Sequence, residues 1–360
     1  MLLKHPGGAV MKKTTFLFTI LMLVPFSAIG QKSVPLKDFL NQRIEKNDHL
    51  SNTSFDLSGD PQNVQLGALL EQLKLGGFFQ AWYIASDEQI DQFKIRRAEL
   101  SLNGDLTDEA SFKIMFDLAK DTQQLQDLIL TLKLLGHKFS MGQFKRPLSL
   151  EGSQTSASKL EVMERADSVR AYGNQRDRGA KVEGKFDPAK LSYIVAIFNG
   201  EGKNKDTNDQ QDLAGMLIFQ PIDQLGFYAA TYDGSKGVDA DAQRRNIVGI
   251  KFEQGPLHIR GEYLEGKDAN IEGQGWYVLG AYDLSDLDIE MLENLSLAAR
   301  YEEWNKDLED NSEIEVYTIG VQYFLDPKEY NKLSIDYILI DGKGTEKDSH
   351  GMTFGFQGKF

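Results

Sequence analysis

From Gly76 to Phe360 the chain repeats one theme, runs of roughly ten residues in which apolar and polar side chains alternate. SFKIMFDLA sets Phe112, Ile114, Phe116 and Leu118 against Lys113, Met115 and Asp117. NIVGIKFE sets Val248, Ile250 and Phe252 against Gly249, Lys251 and Glu253; LHIRGEYLE sets Leu257, Ile259 and Tyr263 against His258, Arg260 and Glu262. LSLAARYEEW, VYTIGVQYF and KLSIDYILI follow suit, as does the final GMTFGFQGKF, with Met352, Phe354, Phe356 and Phe360 on one face. Successive side chains of a strand point to opposite faces, so each run predicts a strand with one apolar and one polar side. Strands of a parallel sheet are buried on both faces, which this pattern does not fit.

The connections sharpen the prediction. Short turns around Pro188, Pro221, Pro256 and Pro327 alternate with polar stretches, NGEGKNKDTNDQQ, DGSKGVDADAQ, EGKDANIEGQ, NKDLEDNSE and DGKGTEKDSH. A transmembrane barrel with tight turns at one rim and loops at the other produces this order, whereas a soluble β-sandwich has no reason to sort its turns by parity. The expectation is an all-β, antiparallel transmembrane barrel of about 16 strands over residues 73–360, closed by GMTFGFQGKF against the first strand. The longest connection, about 145–176, falls between the fifth and sixth strands, and a loop of that length is expected to be functional.

The front of the chain is of another kind. In MKKTTFLFTILMLVPFSAIGQ, Lys12 and Lys13 precede an apolar run from Phe16 to Val24 and the small residues Ser27, Ala28 and Gly30. This is the pattern of a secretory signal peptide over residues 1–30, with its start expected at Met11; a membrane anchor is the alternative. Residues 31–72, with VPLKDFLNQRIEKND and VQLGALLEQLKL, are expected to be a short periplasmic segment whose two quoted runs are compatible with short helices. Beyond the leader, no run of about 18 apolar residues predicts a spanning helix.

Composition removes several chemistries. The chain has no cysteine, hence no disulfide, thiolate metal site or lipid-modified cysteine. The net charge is −14, and removing a leader that carries Lys4, Lys12 and Lys13 takes it to about −17, which argues against nucleic acid as a partner. Outside the leader the histidines are His49, His137, His258 and His350, with neither a G-x-S-x-G elbow nor an H-E-x-x-H pair, so an enzyme is not expected. DTNDQQD is rich in oxygen ligands but lacks the spacing of a calcium loop, and EGKDANIEG has the same solvated character; no metal or cofactor is expected. Trp82, Trp276, Trp304, Tyr263, Tyr282, Tyr301 and Tyr323 lie near strand ends and are expected in the interfacial girdles of a barrel.

Three blocks together resemble the phosphate-selective porin O and P family. They are QFKIRRAELSLNGDLTDEASFKIMFDLA, MGQFKRPLSLEGSQTSASKLEVMERA, and QRDRGAKVEGKF followed by YIVAIFNG. The matching positions include Arg96, Arg97, Gly104, Gly142, Phe144, Pro147, Ser149, Arg178, Gly179, Asn199 and Gly200. The resemblance implies a water-filled 16-stranded barrel, usually trimeric, in the outer membrane of a Gram-negative cell. Phe360 resembles the terminal residue that the barrel-assembly machinery recognises in many outer-membrane proteins, and outer-membrane lipid and lipopolysaccharide are the expected surroundings.

Phosphate selectivity needs a dense run of Lys and Arg in the lumen. The polar faces instead mix signs: Arg97 with Glu99, Lys113 with Asp117, Lys181 and Lys185 about Glu183, Lys251 with Glu253, Arg260 with Glu262, and Arg300 with Glu302. These are the candidate pore-lining residues. In and beside the long loop, Lys145, Arg146, Lys159, Arg165, Arg170, Arg176 and Arg178 are the cationic candidates, diluted by Glu151, Glu161, Glu164 and Asp167. The expected function is passive diffusion of small hydrophilic solutes and ions. A phosphate- or anion-selective pore, and a non-conducting structural or adhesion barrel plugged by its own loop, are the alternatives.

Overall fold

The alternating runs form sixteen antiparallel strands that close into a barrel. The protein is seen in a computed structural model that describes residues 73–360 other than 288, 311 and 327–330; the leader, the 31–72 segment and the turn at Pro327 lie outside the described residues. The first six strands are β1 (Leu73–Ser86), β2 (Gln92–Asp105), β3 (Ala110–Asp117), β4 (Leu125–Leu134), β5 (His137–Lys145) and β6 (Arg176–Phe186). Next come β7 (Leu191–Phe198), β8 (Asp212–Ile222), β9 (Leu225–Lys236), β10 (Asp241–Gln254) and β11 (Leu257–Asp268). The circuit ends with β12 (Ile271–Asp283), β13 (Leu295–Asn305), β14 (Glu313–Phe324), β15 (Lys332–Lys343) and β16 (Ser349–Lys359).

The last strand closes the circuit. β16 pairs with β1 from Phe78↔Lys359 to Ser86↔Gly351, and Phe360 and Gly77 exchange backbone hydrogen bonds of 3.0 and 3.1 Å. Met352, Phe354 and Phe356 are exposed on the outer face, while Thr353 and Gln357 are buried inside. The outer face elsewhere is apolar too, with Leu128, Leu217 and Ile319 among its exposed side chains. Trp276, Tyr263 and Tyr323 stand on this face, and Tyr301 packs between Trp276 and Tyr317 at centroid distances of 5.2 and 5.1 Å. Trp82 and Trp304 depart from the girdle expectation: both are buried inside, Trp304 edge-on to Tyr172 of the long loop. Their strand parity, shared with Gln80 and Glu302, turns them inward.

Connection lengths sort less strictly than expected. DGSKGVDADAQ and EGKDANIEGQ are mostly strand, bent only at 237–240 and 269–270, while 284–294, at the rim where Phe360 ends, is long and carries two 3-10 turns. The wall is therefore uneven. β3 and β7 have 8 residues, β10 has 14 and β12 has 13. At about 3.4 Å per residue the tall side exceeds the low side by roughly 20 Å of strand.

Two irregularities set up the interior. The β1–β2 register shifts between Gln80 and Ala81, leaving Arg96 as the extra residue of a bulge, and the β3–β4 register shifts between Met115 and Phe116, leaving Gln126 extra. A bulge re-aims side chains at that point.

The inside is not uniformly polar, as the alternation had implied. Ile194, Ala196, Phe198, Ala214, Met216, Ala230, Ile247, Leu264, Leu279 and Ala298 of the wall form one apolar cluster with Leu148, Val162, Ala166, Val169 and Tyr172 of the loop. Part of the lumen is thus packed core rather than water.

Candidate functional site

The connection from Arg146 to Gln175 folds into the barrel. Its root is Arg146, whose guanidinium donates to Asp177 (3.1 Å from Nε), Gln243 (3.3 Å) and the Gly200 carbonyl (3.0 Å), and lies 4.3 Å from the Tyr232 ring centroid. Arg146 and Asp177 are both buried, so the pair is a structural anchor whose charges are consumed locally.

Beyond the root, the loop is bound along the wall from β11 to β16. Glu262 of β11 accepts from Ser149 Oγ (2.8 Å) and from the amides of Leu150 (2.6 Å) and Glu151 (3.0 Å), at the start of the π-helical turn Leu150–Gln154. Glu302 of β13 accepts from the Ser168 amide (2.9 Å) and hydroxyl (3.1 Å), ahead of the turn Val169–Gly173. Asp336 of β15 accepts from the Met163 amide at 2.7 Å. Gln322 and Lys332 donate to the Leu160 carbonyl (3.0 and 2.8 Å), and Gln357 donates to that of Ser158 (2.9 Å). Carboxylates at the free amides of short turns are a favoured arrangement.

Wall glycines make room for the same loop. A Cβ on Gly275 would stand 2.9 Å from Ser168 Cβ, one on Gly266 2.8 Å from the Tyr172 ring, and one on Gly355 2.2 Å from Met163 Cε. The loop lies in a track cut to its shape.

The wall from β2 to β6 is different in charge. Arg96 and Arg97, brought together by the bulge, both reach Glu164 of the loop: Arg96 Nε donates at 2.7 Å and Arg97 NH2 at 3.4 Å. Arg97 also donates to Gln80, and Arg96 lies 5.4 Å from the Trp82 ring. Asp127 accepts from both Lys113 (2.7 Å) and Arg176 (2.8 Å). Lys145 donates to the Gly152 carbonyl (2.6 Å), and Arg165 to the carbonyls of Glu151 and Thr155 (both 2.9 Å), so neither of these contacts cancels a charge. At the rim, Lys120 in the β3–β4 connection and Lys203 in the β7–β8 connection join this field. Burial, with Lys120 and Arg176 close by, brings the Lys203 ammonium from 10.5 down to about 8.

The expected neighbour pairs fare unequally. Lys181–Glu183 and Lys251–Glu253 are formed at 2.7 Å, and Arg97 stands 4.0 Å from Glu99. Lys113 prefers Asp127, while Asp117 accepts from the amides of Ala98 and Ala119 instead. Arg260 turns from Glu262 to Glu161 (2.7 Å) and Glu151 (3.2 Å), and Arg300 turns from Glu302 to the Glu164 carbonyl (2.7 Å). The reason is geometric: residues two apart on a strand lie about 7 Å apart, and the inserted loop offers closer partners. Lys185 is exposed at the end of β6. Among the loop candidates, Lys159 and Arg170 are exposed, Arg170 pairing with Asp167. Arg178 belongs to β6 and donates to the Lys203 carbonyl at 2.7 Å.

The residues that single-strand parity missed are Arg96, Glu164, Lys120, Lys203 and Asp127. A bulge shifted the first, and the others belong to connections or pair across strands. The YIVAIF and LAGMLIF runs, apolar on both faces, were the available signal for the packed half of the lumen. His137 meets the Tyr193 hydroxyl at 3.0 Å, His258 lies between Glu253 and Asp283, and His350 pairs with Asp87. Among the described residues, no cluster of three or more His, Asp or Glu side chains could hold a metal ion, and no helix is long and apolar enough to cross a membrane.

A family model described as phosphate-selective porin O and P matches residues 75–256. No curated protein matches the sequence significantly. Among solved structures, the chain is similar to an anion-selective porin from Comamonas acidovorans, with TM-score 0.64 and 11% identity, covering 80% of this chain and 99% of that one. It is similar to OmpT of Vibrio cholerae in a trimer form (TM-score 0.56, 16% identity, 80% and 99% covered). It is also similar to OmpF of Salmonella typhi in complex with daunomycin (TM-score 0.58, 12% identity, 80% and 97% covered). At these identities the likeness is one of fold.

Proposed function

The chain belongs to the phosphate-selective porin O and P family, and from that premise we propose how its pore sorts solutes. As a member it is an outer-membrane porin, a passive diffusion channel for small hydrophilic solutes and ions. Its selectivity is a mild preference for anions, without a dedicated phosphate site. One observation carries this: around the β2–β6 wall, Arg96, Arg97, Lys113, Lys120, Arg165, Arg176 and Lys203 outnumber Glu99, Asp117, Asp127 and Glu164. An excess of fixed positive charge raises the local concentration of anions, even in a protein that is acidic overall.

The pore-lining set is therefore this basic wall and the loop edge facing it, rather than the pairs at Arg260 and Arg300, which hold the loop. No covalent chemistry is involved. The barrel works as a homotrimer in lipid and lipopolysaccharide after export by its leader, with Phe360 as the mark read by the assembly machinery; the trimer form recorded for the similar Vibrio cholerae protein supports the first point. The test is the reversal potential of refolded mature protein in a planar bilayer across a KCl gradient. The expected sign is that of chloride preference. A cation preference would overturn the reading, and absence of current from inserted protein would favour the plugged barrel.

A further inference from the structure

We propose that Glu164 is a tethered anion that occupies the channel's own oxyanion-binding position and thereby sets its selectivity. The proposal rests on the conducting-pore reading above.

The donors around this carboxylate suit a small oxyanion. Oε2 accepts from Arg96 Nε at 2.7 Å, with the Arg96 NH2 group also in contact; Oε1 accepts from Arg97 NH2 at 3.4 Å and from the Arg165 amide at 3.1 Å. Two guanidinium groups and one backbone N–H, converging from a bulged strand and a loop, are the groups that would bind phosphate, sulfate or a free carboxylate. The Arg165 side chain does not compete for the anion, because it is turned away to the carbonyls of Glu151 and Thr155.

The tether is rigid. The Met163 amide is held by Asp336, and the Glu164 carbonyl accepts from Arg300 at 2.7 Å. The backbone on either side of the Glu164 side chain is thus fixed to β13 and β15 or within the loop. A carboxylate presented in this way competes as an intramolecular ligand at high effective concentration, so millimolar anions in transit cannot displace it. The arginine pair remains built for oxyanions while the pore passes them unselectively.

The experiment compares wild type, Glu164→Gln, Glu164→Asp and Glu164→Gln/Arg97→Gln in planar bilayers under a KCl gradient, with inorganic phosphate then titrated in. Wild type is expected to conduct chloride without saturable block by millimolar phosphate. Glu164→Gln is expected to raise the chloride-to-potassium permeability ratio about fivefold, the factor for one unit charge at ~4 Å in water, and to acquire saturable phosphate block. Glu164→Asp should stay near wild type, and the double variant should lose the block, which a mere shift of the loop would not reproduce. An unchanged ratio in Glu164→Gln overturns the proposal. So does saturable phosphate block of the wild-type current, a result that needs no variant to fold. Absence of any current from inserted wild-type protein overturns the channel reading, and this proposal with it.

Discussion

Among single residues, Lys203 carries the clearest dependence on solution conditions. Its ammonium sits in the β7–β8 connection, donates to the Gln123 carbonyl at 2.7 Å, and is brought down to about 8 by burial and by Lys120 and Arg176. A lysine with a lowered value is charged below it and neutral above, so the rim loses positive charge as pH rises through 8. The chloride preference should therefore weaken between pH 7 and 9, as read from reversal potentials, and Lys203→Met should start with the weaker preference and lose the pH dependence. For stability the sign is opposite to that of a salt-bridged lysine: the cost of keeping this charge half-buried is present below about pH 8 and relieved above it. Arg146 makes the contrasting case. It too reads as a cation in the sequence, yet its charge is spent on Asp177 and a buried network, and no pattern along the chain distinguishes the two roles.

Among elements, the inward loop decides the bore, and the wall is carved to receive it. β12 contains its own control. A Cβ at Gly275 would meet the Glu303 carbonyl and the Trp304 ring at 2.8 Å and Ser168 Cβ at 2.9 Å, none of which can swing aside, whereas one at Gly280 meets nothing within 4 Å. Gly275→Ala should destabilise the barrel by about 1–3 kcal/mol, the usual range for overpacking, and reduce single-channel conductance by pushing the 168–173 turn off the wall. Gly280→Ala should leave both unchanged. Thermal unfolding in detergent and bilayer recordings provide the two readouts. Equal effects of the two substitutions would mean that the loop does not depend on the track. Most of the strands were foreseeable, because the period of two survives in most runs that face lipid, the YIVAIF and LAGMLIF runs of β7 and β8 being apolar on both faces. The loop's path was not: Glu262, Glu302 and Asp336 look like wet lumen residues in sequence, and they become loop anchors only because the loop's free amides arrive opposite them.

At the scale of the whole molecule, the wall is low from β3 to β7 and tall from β9 to β12, and the low side bears Phe116, Leu128, Leu130, Leu132 and Met141 on its outer face. We place the contacts of the proposed trimer on this low wall, where neighbouring barrels would continue the apolar surface. The absence of cysteine makes the test clean. Leu130→Cys should give crosslinked protomers under mild oxidation in native membranes, while Ile319→Cys, on β14 facing lipid, should not. Crosslinking at Ile319 alone would move the interface to the opposite wall.

The amino-acid sequence by itself determined that this chain makes a closed, outward-apolar barrel of about sixteen strands whose last strand, with its aromatic face, pairs with its first. Those features rest on side-chain alternation and turn chemistry, which are local and repeat at short range. Tertiary structure decided where the charges act. Arg96 and Arg97 share a face because the β1–β2 register slips at Gln80, and both meet Glu164 because Asp336 and Arg300, far along the chain, hold the loop backbone in place. The path of the connection that enters the lumen is set by its anchors on β11, β13 and β15. That outcome depends on contacts between residues more than a hundred positions apart, and no periodicity along the chain encodes them.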